Sequence, residues 1–469
     1  MKQLQVKPET WWTRPCGGFD VLRHAVPLII SSGSISFMNF TDRMFLMWYD
    51  PDSMTASMQG MMLFWSSVAI PVAIATFVTT FVAQYYGSGN RQRIGEVVWQ
   101  GIWFGFAIVP FLFFLEPYLI QLFVIFGHDE HLVRLERIYF NYLLWGSAAT
   151  ISGEAAAAFF RGRGKMHIEM YNNLFCVALN IFLDYCMIFG KCGFPAWGLA
   201  GAAIATMISQ WVRLIIYVVL MFLTDVQERH YNILGGMKLD FKLIGRILYY
   251  GTPSSSYTFI DTVTFTLFIM IIGGLGELAR NATTIAFTMN SLTFIPLTGI
   301  GIVVTSMVGN QLGNNRPDLA RRVTNTAFVI GCVYTGFFAV LFLASPDFLL
   351  LIFSMFSDAE EFEAIHSLTV ILLRFIALYI FFDSCAFIAG STLRGAGDTI
   401  FVMRFVFIVA PFLPLSCYVG IHYFGLGLIW CWFVLGVNVV IYFIFFTLRF
   451  MGKKWESMRV IEKELQKKI

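Results

Sequence analysis

The sequence predicts an all-α integral membrane protein whose twelve transmembrane helices form two parallel-repeat six-helix lobes. Three observations predict it: an apolar composition, the placement of the positive charges, and an internal repeat at about half the chain length. Of 469 residues, 58% are apolar and 13% charged, against roughly 45–50% and 25% in an ordinary soluble domain. With 50 Phe, 21 Met and a mean hydropathy of +0.70, the chain carries more apolar surface than a soluble core of this length can hide. Lipid must solvate much of it. That excludes a soluble globular enzyme, a disordered chain and a nucleic-acid binder.

A hydrocarbon layer of about 30 Å needs about 20 apolar residues per helix, and polar punctuation cuts the chain into twelve such runs. The N-lobe, 21–223, holds the first six. Run 22–47 contains Pro27 and Asp42, run 57–86 contains Pro71 and leads into the turn at Gly87, and run 96–115 contains Pro110. Run 138–160 carries Glu154 and ends at FFRGRGK, run 170–190 carries Asn180 and Asp184, and run 197–223 carries Thr206 and Arg213. A cytosolic linker, 224–245, precedes the C-lobe, 246–450. There run 246–272 contains Pro253 and Asp261, run 283–312 contains Pro296 and leads into the turn at Gly313, and run 323–345 is followed by an acidic outer loop. Run 367–393 carries Arg374, Tyr379 and Asp383, run 401–422 contains Pro411 and Pro414, and run 425–449 is the last. Prolines inside these runs should kink their helices and free carbonyls.

Charge placement sets the orientation. With the N-terminal segment 1–20 and the tail 451–469 in the cytosol, most of the 32 Lys and Arg fall on the cytosolic side. They include Lys2, Lys7, Arg229, Lys463, Lys467 and Lys468, whereas the outer loops keep Arg134, Arg137, Lys191 and Arg280. The positive-inside rule supports both the span count and the cytosolic termini. The first twenty residues lack the apolar core and cleavage site of a secretory signal. The eight cysteines contain no CxxC pair, so neither a disulfide framework nor a zinc site is indicated.

Pro253 follows Pro27, and Gly313 follows Gly87, by 226 residues. Pro296 follows Pro71 by 225, and TLRGAGD follows FFRGRGK by 233. Four landmarks in one order mark two six-helix halves. Six is even, so both halves start in the cytosol and the repeat axis runs along the membrane normal.

An ionisable group at mid-membrane costs roughly 2.5–3.5 kcal/mol on insertion scales, so each is a functional candidate. The candidates are Asp42, Arg43, Glu154, Asp184, Arg213, Asp261, Arg374 and Asp383. Counted at 1.5 Å per residue from the nearest cytosolic charge or helix end, the four aspartates fall in one depth band. Tyr379 and Asp383 are four apart on one helix face, as are Asn180 and Asp184. Carboxylate, hydroxyl and amide oxygens suit Na⁺, or a proton where burial makes the ionised carboxylate costly. Each lobe could thus hold one cation site. The competing reading is that the aspartates pair with Arg213, Arg374 or helix ends and hold the bundle together; it is at least as strong for Glu154, Arg213 and Arg374. Arg374 is out of phase with Asp383 on its helix, and Arg43 could neutralise Asp42 or point outward. A membrane-embedded enzyme is disfavoured, because there is no HExxH, no GxSxG elbow and no cluster of histidines.

These motifs resemble the multidrug and toxic compound extrusion (MATE) family, in its NorM-like form. AVPLII followed by FTDR resembles the family's first helix, VAQYYGSGN the end of its second, and GFPAWGLAGAAIAT the start of its sixth. LYIFFDSCAFIAGSTLRGAGDT resembles its tenth, while GTPSSSYTFID carries Asp261 where the family usually shows a glutamate, which shortens the reach by one methylene. The resemblance implies a secondary active antiporter that exports cationic or amphipathic organic compounds in exchange for Na⁺ or H⁺. It implies Asp261, Tyr379 and Asp383 as a C-lobe cation site, and Asp42, Asn180, Asp184 and Thr206 as an N-lobe network. The expectation is a non-enzymatic monomer without cofactor, spanning the cytoplasmic membrane of a prokaryote, with small organic molecules and lipid as its partners. A lipid-linked oligosaccharide flippase of the same wider superfamily is the alternative; more cationic residues lining its cavity would be expected.

Overall fold

The computed structural model describes residues 10–125, 128–228, 230–354 and 359–462. Lys2, Lys7, Arg229, Lys463, Lys467 and Lys468, expected in the cytosol, lie outside the described residues. The first six long helices are α1 Gly18–Tyr49, α2 Pro51–Gly87, α3 Gln92–Ile125, α4 Glu130–Arg161, α5 Met166–Phe189 and α6 Leu199–Glu228. Then come α7 Phe241–Gly273, α8 Glu277–Gly313, α9 Pro317–Ala344, the short α10 Pro346–Ser354, α11 Ala359–Ala396, α12 Thr399–Val409, α13 Phe412–Phe424 and α14 Leu428–Met451. Counting α12 and α13 as one span, twelve membrane-length elements are present among the described residues. Only α4 falls short of the apolarity of a typical span, because it carries Glu130, Arg134, Glu136, Arg137, Glu154 and Arg161.

Most helices overrun the apolar runs that announce them. α2 begins at Pro51, where Asp50 caps it by accepting the Ser53 backbone N–H at 2.8 Å and the Ser53 hydroxyl at 2.7 Å. Those two bonds hold the Asp50 carboxyl below the usual carboxylate range. Hydropathy reports the part of a helix that lipid touches, while the backbone ladder runs on until a cap satisfies its free ends. One local expectation is corrected. The acidic outer loop 345–366 contains α10 and the first residues of α11. Within the span expected at 401–422, the kink expected at Pro411 is a turn at Ala410 and Pro411 that separates two helices, since Pro411 has no N–H to continue the ladder.

Contacts divide the chain into two compact units: residues 1–29 with 256–459, and residues 30–255 with 460–469. The divisions fall inside α1 and α7, just after Pro27 and Pro253, rather than in the segment 224–245. They obey the repeat, since Ser256 follows Ile30 by the same 226 residues that separate the prolines.

Each unit packs around one helix. In the 30–255 unit α4 is central and touches α2, α3 and α6; in the other unit α11 is central and touches α8, α9 and α14. Small residues permit the close approach. A Cβ on Gly105 of α3 would lie 2.3 Å from the Ser152 hydroxyl and 2.8 Å from the Ser152 nitrogen of α4. Across the repeat, a Cβ on Gly301 of α8 would lie 2.8 Å from the Ser391 hydroxyl of α11. The linker is pinned to α3: Trp99 donates to the Ile233 carbonyl at 2.9 Å, and Gln100 donates to the Lys238 carbonyl and accepts the Asp240 N–H, both at 3.0 Å.

Candidate functional site

The 30–255 unit buries a carboxylate cluster. Asp42 comes from α1, Asn180 and Asp184 from one face of α5, and Thr206 from α6. Asn180 and Asp184 are fully enclosed, and Asp42 and Thr206 are 6% exposed. The Asn180 amide is assigned the orientation in which its nitrogen faces the acids. It then donates to Asp42 Oδ1 at 3.1 Å and to Asp184 Oδ2 at 3.2 Å, while its oxygen accepts the Thr206 N–H at 3.3 Å. The two carboxyls lie within hydrogen-bonding reach of each other, and Asp184 Oδ1 has no donor. Two ionised carboxylates cannot share such a place without a proton or a metal cation between them. Arg43 does not fill that role. It is exposed and makes no salt bridge among the described residues. Tyr139 of α4, buried at 2% exposure, feels both acids; no spacing rule in the sequence links it to them.

The other unit gathers a second cluster. Asp261 and Tyr257 share a face of α7, and Tyr379 and Asp383 share a face of α11. Asp261 is accessible, Asp383 half-buried and Tyr379 buried. The Asp261 and Asp383 carboxyls are close enough for their charges to interact, and Tyr379 feels Asp383. The structure therefore brings together the three residues expected in the C-lobe. It adds Arg394, whose guanidinium lies 5.4 Å from the Tyr257 ring centre, donates to the Ser391 hydroxyl at 2.9 Å and feels the charge of Asp261. It also adds Tyr442 of α14, whose buried hydroxyl has no partner among the described residues. Two of these were legible: Tyr257 is one turn before Asp261, and Arg394 is eleven residues past Asp383, which returns to the same helix face.

The remaining charged candidates divide. Arg374 is exposed and far from the role of counter-ion. Glu154 belongs to a buried ion network: Arg161 donates to Glu154 at 2.8 Å and to Glu169 at 2.5 and 2.7 Å, and Arg213 lies 3.4 Å from Glu154. Two arginines and two glutamates balance, so the network can be buried without net charge. A cavity of about 160 Å³ in this unit is lined by Asn180 and Thr206 as well as by Glu154 and Arg213. Among the described residues no His, Cys, Asp and Glu group has the makings of a transition-metal centre.

Comparisons with known proteins agree with this architecture. The sequence pattern of the family described as MatE matches residues 27–186 and 253–419, one block in each half. A "Probable multidrug resistance protein NorM" of Thermotoga maritima is 26% identical over 453 residues, covering 96% of each chain. The "Multidrug resistance protein MdtK" of Proteus mirabilis is 26% identical over 437 residues, covering 89% of this chain and 92% of its own. Among solved structures, a MOP superfamily transporter from Pyrococcus furiosus superposes with a TM-score of 0.81 at 19% identity, covering 93% of this chain and 95% of that one. An outward-facing multidrug resistance transporter of the same superfamily superposes at 0.79, also with 19% identity, covering 93% and 96%. At those identities the superpositions establish the fold.

Proposed function

This chain belongs to the MatE family of multi-pass membrane transporters, and from that membership we propose that it is a secondary active antiporter exporting cationic or amphipathic organic compounds in exchange for Na⁺ or H⁺. The observation that carries the reading is the enclosed pair Asp42 and Asp184, bridged by Asn180 and left with one carboxyl oxygen unmet. A pair of acids without a resident arginine is poorly tolerated in a bundle until a small cation arrives. Na⁺ or H⁺ entering from outside neutralises the pair and favours one packing of the unit; release on the cytosolic side reverses it. The exported compound stabilises a different state from the cation. A ligand drives such a cycle only through a difference in affinity between conformations.

Asp261, Tyr379 and Asp383 form the corresponding cation site of the other half, with Arg394 near enough to Asp261 to weaken its hold on a cation. The chain acts as a monomer in the cytoplasmic membrane of a prokaryote, with both termini in the cytosol and the coupling ion in place of a cofactor. The deciding experiment is efflux of a fluorescent organic cation from proteoliposomes under separate Na⁺ and pH gradients. Efflux driven by one of the gradients is the expected result. Efflux indifferent to both ends the antiport reading.

A further inference from the structure

The turn between α5 and α6 brings two thiols together. α5 stops where Gly190 takes a left-handed conformation, φ +66°, and the backbone N–H groups of Gly190 and Lys191 both bond to the Cys186 carbonyl, the latter at 2.8 Å. The chain then stays curled over the end of α5. Phe194 donates its N–H to the Lys191 carbonyl at 3.0 Å, and Trp197 donates its N–H to the Met187 carbonyl at 2.9 Å. Cys192 is left-handed as well, φ +55°, which is uncommon for a residue with a Cβ and persists only where the surroundings impose it. Cys186, in the last turn of α5, is fully enclosed and Cys192 is exposed, yet their thiols lie within hydrogen-bonding reach of each other. Five residues separate them in the chain, a spacing that a search for CxxC passes over.

We propose that Cys186 and Cys192 are a disulfide-forming pair, a redox modification site that staples the α5–α6 turn to the end of α5. The proposal rests on the orientation with cytosolic termini, which puts this turn outside, where disulfides form and persist. A protein or low-molecular-weight disulfide of that compartment is the oxidant. The thiolate of Cys192, the exposed member, attacks one of its sulfurs; that S–S bond breaks, one thiol leaves, and a mixed disulfide forms on Cys192. The Cys186 thiolate then attacks the Cys192 sulfur and expels the second thiol. The two cysteines lose two protons and two electrons, and the incoming disulfide gains them. The turn's backbone bonds hold both side chains together before the reaction, which favours this partner over a second chain. Asp184 precedes Cys186 by two residues and so faces the opposite side of α5. The staple therefore leaves that carboxyl untouched and fixes the end of the helix that carries it. It also holds the turn against α1, where a Cβ on Gly198 would lie 2.4 Å from the Tyr49 ring.

Lys191 makes the test direct, because trypsin cuts after it, between the two cysteines. Protein taken from cell membranes is blocked with N-ethylmaleimide in denaturant and digested without reductant. Cys192 is the only cysteine of the tryptic peptide 192–213, and Cys176 and Cys186 are those of peptide 166–191. The two peptides should appear as one linked mass in most of the protein and separate on reduction. Cys186→Ser should free peptide 192–213, whereas Cys176→Ser should leave it linked. Maleimide on both Cys186 and Cys192 of the wild type, or a linkage that survives Cys186→Ser, would overturn the proposal. After reduction, Cys192 should also take up a membrane-impermeant maleimide on spheroplasts. Labelling only once the inner face is opened would instead overturn the orientation beneath the proposal, and the proposal with it, while the antiport reading keeps its own efflux test.

Discussion

At the scale of single residues, function and stability make different demands on the same buried charges. Asp184 has an oxygen with no donor, which gives stability nothing and suits a transient ligand. Asp184→Asn keeps the volume and removes the charge, so gradient-driven efflux in proteoliposomes should fall at least tenfold while the protein still elutes as an intact species. Asp383→Asn probes the other half in the same assay and should reduce coupled efflux if both clusters serve the cycle. Arg161 is the opposite case, a charge whose two partners depend on it. Arg161→Gln leaves Glu154 and Glu169 short of compensation inside the bundle and should cost about 3–5 kcal/mol, seen as a lower melting temperature in detergent. Gly105→Ala places a methyl against the backbone of Ser152 and should cost about 1–3 kcal/mol by the same measurement.

Among elements, the repeat is visible as matching geometry. α2 and α8 are each 37 residues long, and each packs on the central helix of its unit. The hydrophobic runs announced these helices because lipid contact and apolarity are the same property. Helix ends and α10 escaped that reading, since caps and chain reversals depend on a few polar contacts that hydropathy averages away. The linker shows how much such contacts matter. Gln100 satisfies both the Lys238 carbonyl and the Asp240 N–H, so Gln100→Ala should release a backbone segment at a cost of about 1–3 kcal/mol. Trypsin should then cut at Lys238 several-fold faster than in the wild type.

For the whole molecule, the division of the chain after Pro27 and Pro253 has a consequence for assembly. The 30–255 unit needs the start of α7 and also residues 460–462, where Val460 donates its N–H to Gln84 at 2.7 Å and Glu462 accepts the Tyr85 hydroxyl and pairs with Arg246. A chain cut between 237 and 238 should therefore fold only when both pieces are expressed together. Co-purification of the two pieces, with each alone aggregating, is the expected outcome; a soluble, monodisperse N-terminal piece would contradict it. Membrane class, span count, the two-fold repeat and six of the seven acidic, amide and hydroxyl candidates followed from the sequence alone, because hydropathy, charge asymmetry and helical spacing are local properties that need no partner; the seventh, Thr206, came only from the family resemblance. Tertiary structure alone decided that Asn180 bridges Asp42 to Asp184, that Tyr139 and Tyr442 join the clusters, and that the compact units divide inside helices. Those facts depend on which faces meet across helices far apart in the chain, and a linear pattern carries no information about that encounter.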